Sequence, residues 1–170
     1  MFFAVFDRIA PAANKHMATL FNGATGRKVV VNRIYRFNWQ TGAQTGVLLE
    51  QELREVTAHS GGSSITINRW DEADPAPTSG IVCTSGATVT LGGRGLITRI
   101  YATSEEMALA SASVINKDTA LFHDAQLVYW RRPGSKGLTL ATGRGVTVQN
   151  ITSSTVGTVS YRVEFDDEPA

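Results

Sequence analysis

The sequence predicts an all-β protein built as an antiparallel β-sandwich. Short runs near its end, between residues 138 and 165, alternate apolar and polar side chains with a period of two, which is typical of half-buried strands. Gly, Ser and Thr mark the boundaries of these runs, as in turns. One face of the last run is wholly apolar and needs a second sheet to cover it. That face consists of Val159, Tyr161, Val163 and Phe165.

Composition favours one domain with its own core. The chain has 170 residues, few charges and a formal net charge of +1. This balance argues against a nucleic-acid partner, which usually selects a basic excess. No apolar run reaches the roughly eighteen residues of a membrane span, and no secretory signal is evident. Twelve of the sixteen basic residues are Arg. Arg is enriched at protein interfaces, although codon habit explains the bias equally well.

Residues 1–18 are predicted as an N-terminal arm that precedes a single β-sandwich domain at 19–170. Its apolar side chains are crowded, but Asp7, Arg8 and Pro11 interrupt them before a helix of useful length forms. Burying five such side chains contributes about 8–15 kcal/mol, whereas ordering the segment costs about 10–20 kcal/mol. The arm therefore needs either its own sheet or a partner, and deleting residues 2–10 is expected to spare folding but weaken assembly. The candidate partner contacts in the arm are Phe2, Phe3, Val5, Phe6 and Ile9.

The first strands of the domain follow directly. Residues 20–26 predict a short strand and a turn, and residues 27–39 predict the longest strand. Strict alternation in that strand places Val29, Val31, Tyr35, Phe37 and Trp39 on one face, with Arg33 interrupting it. Residues 40–46 are predicted as a loop.

Residues 47–59 fit both a helical and a strand period. We favour a strand, because the turn at 60–63 and the apolar run at 64–70 complete a hairpin. Residues 71–80 contain two prolines and three acids, which predicts an exposed connection suited to crossing between two sheets.

Three further strands are predicted at 81–84, 87–91 and 96–103, with a turn at 92–95 between the last two. Residues 104–116 predict the only helix, one or two turns long, which Ser104 would cap. A strand at 121–130 and a polar loop at 131–137 lead into the final runs. Nine or ten strands with at most one short helix indicate a jelly roll.

A Gly-Arg-Gly sequence occurs twice, at 93–95 and 143–145. Both copies predict turns whose glycines adopt positive φ, and together they suggest equivalent corners of two Greek keys. A phosphate-binding loop is disfavoured, because neither copy precedes a helix or carries the Lys-Ser/Thr of a P-loop.

No pattern predicts catalysis, a cofactor or a metal. His16, His59 and His123 are scattered, so the enzymatic alternative, a metal-binding cupin, has no supporting ligand motif. His59 beside a Ser-Gly-Gly turn is interpreted as a hydrogen-bonding loop residue. Cys83 lies in an apolar run and is interpreted as a small buried side chain. The acids between Asp71 and Asp74 lack the spacing of a calcium loop.

The aromatic residues suggest binding instead. Trp39, Trp70 and Trp130 lie at predicted strand ends, where they form either the rim of the core or a platform for a sugar. Arg131 and Arg132 follow Trp130 directly. Because Arg and Trp dominate binding energy at interfaces, these three residues are the candidate contacts of the domain with a partner protein.

Several short motifs carry a resemblance to a known family. They are Thr19-Leu20-Phe21-Asn22-Gly23, Thr57-Ala58-His59-Ser60-Gly61-Gly62, Asp74-Pro75-Ala76, Ser111-Ala112-Ser113, Leu138-Thr139-Leu140, Gly143-Arg144-Gly145-Val146-Thr147-Val148-Gln149 and Val163-Glu164-Phe165. On these residues the chain resembles small jelly-roll virion proteins of tailed bacteriophages, which decorate or cement the head or belong to accessory structures. The resemblance covers about residues 17–165, so the apolar arm is a departure from it.

The resemblance implies a non-enzymatic capsid decoration or cement subunit. It implies a location in the virion after synthesis in the host cytoplasm, and a homotrimer that contacts the major capsid protein or another virion protein. It implies no cofactor, nucleic acid or membrane. The alternative is a receptor- or glycan-binding module of a phage tail or fibre.

Overall fold

The structure is all-β, as the sequence predicts. The computed structural model describes residues 1–39, 48–103, 125–152 and 158–170. Within these residues the chain forms strands and no helix. The strands are β1 (Phe2–Ile9), β2 (His16–Asn22), β3 (Arg27–Trp39), β4 (Leu48–Ser60), β5 (Ser63–Ile65), β6 (Ile67–Arg69), β7 (Ile81–Ser85), β8 (Thr88–Thr103), β9 (Ala125–Trp130), β10 (Leu138–Leu140), β11 (Arg144–Asn150) and β12 (Thr158–Pro169).

Two antiparallel sheets form the sandwich. Sheet A has the order β9-β3-β12-β1-β6, and β10 pairs with the first part of β3 on the same edge as β9. Sheet B has the order β5-β7-β2-β11-β4-β8. Every strand pair is antiparallel.

The strand pairs are nested from the chain ends inwards. β1 pairs with β12 and β3 with β9 in sheet A, whereas β2 pairs with β11 and β4 with β8 in sheet B. A long hairpin rolled up so that successive pairs alternate between two sheets is the strand order of a jelly roll. Strands β5, β6 and β7 lie between β4 and β8 in the chain and extend both sheets at one side.

The core lies between the inner faces of the two sheets. The face of β12 that the sequence predicts as core is confirmed, because all four of its side chains are buried. They pack with residues of both sheets, including Phe6 and Ile34 of sheet A and Leu20 and Cys83 of sheet B. Burial raises the pKa of the Tyr161 phenol, against the opposing effects of the nearby Arg36 charge and the Gln51 side chain.

The predicted arm is extended, and it packs on its own domain. β1 lies in sheet A between β12 and β6, and residues 16–18 of the predicted arm belong to β2. Alternation along β1 sends Phe2, Ala4 and Phe6 into the core. Of the two alternatives left open by the sequence, docking onto its own sheet is the one observed.

β3 has the predicted bounds but not the predicted faces, and it is not the longest strand, because β8 has 16 residues against its 13. Glu164 pairs with Arg33 whereas the next residue of β12, Phe165, pairs with Val31, so β3 contains a bulge. A bulge shifts the alternation by one residue. Arg36 therefore points into the core, and Tyr35 lies on the outer face.

The strand predicted at 47–59 is confirmed as β4 to within one residue, but the predicted hairpin is wrong. β5 pairs with β7 in sheet B, and β6 pairs with β1 in sheet A. β4 pairs instead with β11 and β8, through contacts between distant parts of the chain. The exposed connection at 71–80 does cross from sheet A to sheet B, as predicted.

Residues 88–103 form one strand, so the predicted turn at 92–95 is wrong. Leu91 pairs with Val56 and Leu96 with Arg54, which leaves four residues of β8 to bulge opposite Glu55. The second Gly-Arg-Gly copy begins in a turn, where Gly143 has a φ of 76°. The two copies are therefore not equivalent corners. The predicted loop at 40–46, helix at 104–116 and first residues of the strand at 121–130 lie outside the described residues.

Candidate interaction surface

The outer face of sheet A presents a row of side chains from four adjacent strands. Val5 pairs with Arg162, Arg162 with Tyr35, and Tyr35 with Leu127. Val5 is 44% exposed and Leu127 is 54% exposed. Because residues in register on one face are neighbours, the apolar ends of this row flank a central arginine.

A second row runs parallel to the first, two residues further along the strands. Phe3 pairs with Glu164, Glu164 with Arg33, and Arg33 with Trp130. The Glu164 carboxylate is almost fully buried and lies 3.0 Å from Arg162 Nε and 3.8 Å from Arg33 Nη1. The row thus has a buried acid at its centre, flanked by cations and aromatic rings.

A cavity of about 450 Å³ opens beside Trp130. Its volume lies in the range of about 300–1,000 Å³ that is usual for ligand pockets. It brings together the three residues that the sequence predicts as partner contacts in the domain. The lining residues are Met1, Asn32, Arg33, Trp130, Arg131, Arg132, Pro133, Gly134 and Glu164.

Two arginines of this cavity follow Trp130, and the first of them, Arg131, contacts neutral oxygens. Arg131 donates from Nε to the Ser135 carbonyl at 3.0 Å and from Nη1 to Asn32 Oδ1 at 3.4 Å. Arg132 is exposed, and among the described residues no carboxylate pairs with it. Their charge is thus available to an incoming acidic group. We call Trp130, Arg131 and Arg132 the basic patch.

The opposite edge of sheet A carries a second exposed tryptophan. The Arg162 guanidinium lies 4.9 Å from the centroid of the Phe3 ring and 4.4 Å from that of Trp70. The two rings are 5.2 Å apart. This stacking fixes Trp70 by cation–π and ring contacts, yet leaves it 48% exposed.

An acidic turn follows Trp70. The Asp71 side chain accepts a hydrogen bond from the backbone N–H of Ala73 at 2.9 Å, and its carbonyl accepts one from the N–H of Asp74 at 3.0 Å. Arg69 Nη1 donates to the Asp74 carbonyl at 2.6 Å. Such Asx-type bonding holds a turn in one shape and leaves Glu72 exposed at its tip. We call Trp70, Asp71 and Glu72 the acidic patch.

The predicted contacts of the arm divide between the two faces of β1. Phe3 and Val5 lie on the outer face of sheet A with the basic patch. Phe2 and Phe6 are buried in the core, and Ile9 packs against it, so these three side chains contact their own domain, and their contact with a partner stays a prediction. The five side chains divide in this way because successive residues of β1 point to opposite faces of the sheet. The crowded apolar sequence did not reveal this alternation.

The sequence did not single out Arg33, Glu164 and Leu127. They are ordinary strand residues that meet Trp130 and Val5 only through the pairing of four distant strands. Trp70 and Trp130 are exposed as the sugar-platform alternative requires, each at 48%, but at opposite edges of the sheet. The side chain of Trp39 lies outside the described residues.

The described histidines and the cysteine pack within the sandwich. His16 and His59 both have a lowered pKa, chiefly because of burial and, for His16, also because of the Arg54 charge. His59 lies on β4, not in a loop, where its Nε2 is 2.7 Å from Thr84 Oγ1 and its ring stacks on Phe21. Cys83 is confirmed as a core residue, and burial raises the pKa of its thiol. In the described ranges no three His, Cys, Asp or Glu side chains are grouped as metal ligands. His123 lies outside those ranges.

Exposed apolar side chains are unevenly distributed over the two sheets. Among the described side chains, six large hydrophobic residues are exposed, and five of them lie on or beside the outer face of sheet A. These are Met1, Val5, Trp70, Leu127 and Trp130, and the sixth is Leu96 of β8 in sheet B. A concentration of this kind is typical of an interaction surface.

Comparisons with known proteins identify no relative: no family model, no curated protein and no solved structure matches this chain. Within the described part of the chain, no helix has the length and hydropathy needed to cross a bilayer.

Proposed function

We propose that the protein is a non-enzymatic structural subunit of a bacteriophage virion. In this proposal it is a capsid decoration or cement protein, made in the host cytoplasm and located in the virion. It binds the major capsid protein or another virion protein through the outer face of sheet A, and it associates with itself as a homotrimer. It uses no cofactor, nucleic acid or membrane. The support for the virion role is the resemblance of the sequence motifs together with the jelly-roll strand order.

One observation carries the binding role. On the outer face of sheet A, one row runs across β1, β12, β3 and β9, and Val5 and Leu127 are exposed at its opposite ends. Burying a large apolar side chain contributes about 1.5–3 kcal/mol of free energy. A partner that covers Val5 and Leu127 would gain this contribution from each of them. Arg162 and Tyr35 between them supply the amphipathic centre that is common in interface hot spots.

Binding to virus particles that lack the protein tests this proposal directly. Wild-type protein should bind particles made without it, and Leu127→Asp should weaken binding at least about tenfold, because a charge would enter a covered apolar contact. Leu96→Asp is the matched control, since Leu96 is similarly exposed but lies on sheet B. Co-sedimentation gives the affinity.

Two results would contradict the proposal. One is wild-type protein that does not bind the particles. The other is equal loss of binding for Leu127→Asp and Leu96→Asp, which would place no special role on sheet A.

A glycan-binding module of a tail or fibre is the second candidate. The observation in its favour is the cavity beside Trp130, where an exposed indole adjoins the arginines and a buried carboxylate. Aromatic platforms flanked by fixed polar groups suit the apolar face and hydroxyls of a sugar. This candidate predicts saturable binding on a glycan array that Trp130→Ala abolishes and Trp70→Ala leaves intact, because Trp70 lies outside the cavity.

A further inference from the structure

The basic patch and the acidic patch occupy the two opposite edges of sheet A. The basic patch, Trp130-Arg131-Arg132, follows β9, and the acidic patch, Trp70-Asp71-Glu72, follows β6. Each therefore begins with an exposed tryptophan and continues with two charges of one sign. The signs are opposite, so the two edges are complementary to each other in both charge and aromatic character.

The two patches lie at the same level of the sheet. A continuous series of contacts joins them: Trp70 N donates to the Met1 carbonyl, the Met1 amino group pairs with Asp166, Asp166 accepts from Asn32, and Asn32 accepts from Arg131. Four strand-to-strand steps of about 4.8 Å put the two edges about 19 Å apart. They are too far apart to neutralise each other within one chain.

Both patches are held in shape without a partner. Arg131 is fixed by Ser135 and Asn32, and Trp70 by Phe3 and Arg162. Arg132 and Glu72 are exposed, and the described residues offer neither of them an ion pair. Because both patches already have a fixed shape, little side-chain conformational entropy is lost when the patch of one copy binds the other patch of a second copy.

We propose that the acidic patch of one copy binds the basic patch of the next copy. Because the two surfaces differ, the contact is heterologous, and repeating it makes each copy both donor and acceptor until a ring closes. The inference rests on the proposed function only in that the protein associates with itself. It adds which surfaces join the subunits. The occupant of the cavity beside Trp130 is then the Glu72 turn of a neighbouring copy.

A charge exchange between Arg132 and Glu72 tests the contact. Arg132→Glu and Glu72→Arg should each weaken self-association at least about tenfold, because each places like charges opposite one another. The double variant should restore association to within about threefold of wild type. Arg144→Glu is the matched control, since Arg144 is equally exposed but lies on sheet B. Sedimentation velocity over a concentration series gives the constants, and circular dichroism verifies folding.

Three outcomes overturn the inference: a wild-type protein that is monomeric at all concentrations, single variants that associate like wild type, or a double variant as weak as the singles. Its failure is separable from that of the proposed function. Leu127→Asp tests particle binding at a residue outside both patches, whereas the exchange tests only the contact between copies.

Discussion

Asp167 holds together three distant parts of the chain. Its carboxylate accepts hydrogen bonds from Arg27 Nε at 2.6 Å, from the Thr78 backbone N–H at 2.9 Å and from Thr78 Oγ1 at 2.6 Å. Burial by itself would raise the pKa of this carboxyl. The hydrogen bonds from Arg27 and Thr78, with the Arg27 charge, outweigh burial and hold the pKa below its ordinary value.

Replacing Asp167 by Asn should therefore destabilise the protein in a pH-dependent way. We expect a loss of about 1–3 kcal/mol in the free energy of unfolding at pH 7, because charge-assisted bonds are lost and Thr78 is left poorly paired. A carboxyl with a lowered folded pKa stabilises above its unfolded pKa and loses that contribution as the pH falls through the folded value. The deficit of Asp167→Asn should thus shrink in acid.

Urea unfolding at pH 7 and at successively lower pH measures this deficit. Glu168→Gln is the control, because Glu168 makes only an exposed contact of 3.5 Å with Lys28 and should change stability by less than about 1 kcal/mol. A deficit for Asp167→Asn that does not change with pH would contradict the assignment.

The burial of a single residue was predictable where its neighbours in the sequence determine it. Cys83 in its apolar run is buried as expected. Arg36 was not predictable as a core residue, because its inward direction results from a bulge at Asn32, four residues earlier. In the core it donates from Nη1 to Gln126 Oε1 at 3.0 Å, and Gln126 comes from a strand ninety positions away.

At the scale of elements, β1 is the strand whose role the structure changes most. It lies between β12 and β6, so deleting residues 2–10 would leave β6 without its neighbour in the sheet and would expose one edge of β12. We now expect this deletion to unfold the protein, not to spare its folding.

Two substitutions in β1 test this role without a deletion. Phe6→Ala should cost about 3–5 kcal/mol in the free energy of unfolding, because Phe6 is fully buried. Val5→Ser on the outer face should cost less than about 1 kcal/mol. Chemical denaturation of both variants makes the comparison. Equal losses of unfolding free energy for the two variants would contradict the packing of β1 in the core.

The two Gly-Arg-Gly copies show why a turn and a bulge have the same local sequence pattern. Both were predicted as turns, but the first is a bulge within β8. Both need positive φ, at Gly95 in the first copy and at Gly143 in the second. A positive φ suits a hairpin turn and a bulge alike. The difference lies in the partner: β4 runs past the first copy and keeps it in one strand, whereas the second copy leads from sheet A to sheet B.

At the scale of the whole molecule, the nested strand order joins the two ends of the chain. Phe2 pairs with Phe165, so the outermost strand pair closes nearly the entire sequence. Folds dominated by such distant pairings fold slowly, because loop-closure entropy is lost before the contacts form. We expect refolding over about milliseconds to seconds. Stopped-flow dilution from urea, followed by tryptophan fluorescence, measures it. Completion in microseconds would argue against the nested order.

The sequence by itself determined the strand class, the bounds of β3 and, to within one residue, those of β4, and the core face of β12. A period of two is a local property that one strand displays alone. The sequence also marked Trp130, Arg131 and Arg132. Only the tertiary structure decided that β1 belongs to the core, that Leu127 shares a row with Val5, and that the acidic and basic patches face outwards from opposite edges of one sheet. These relations depend on the pairing and bulges of strands far apart in the chain, which no local pattern records.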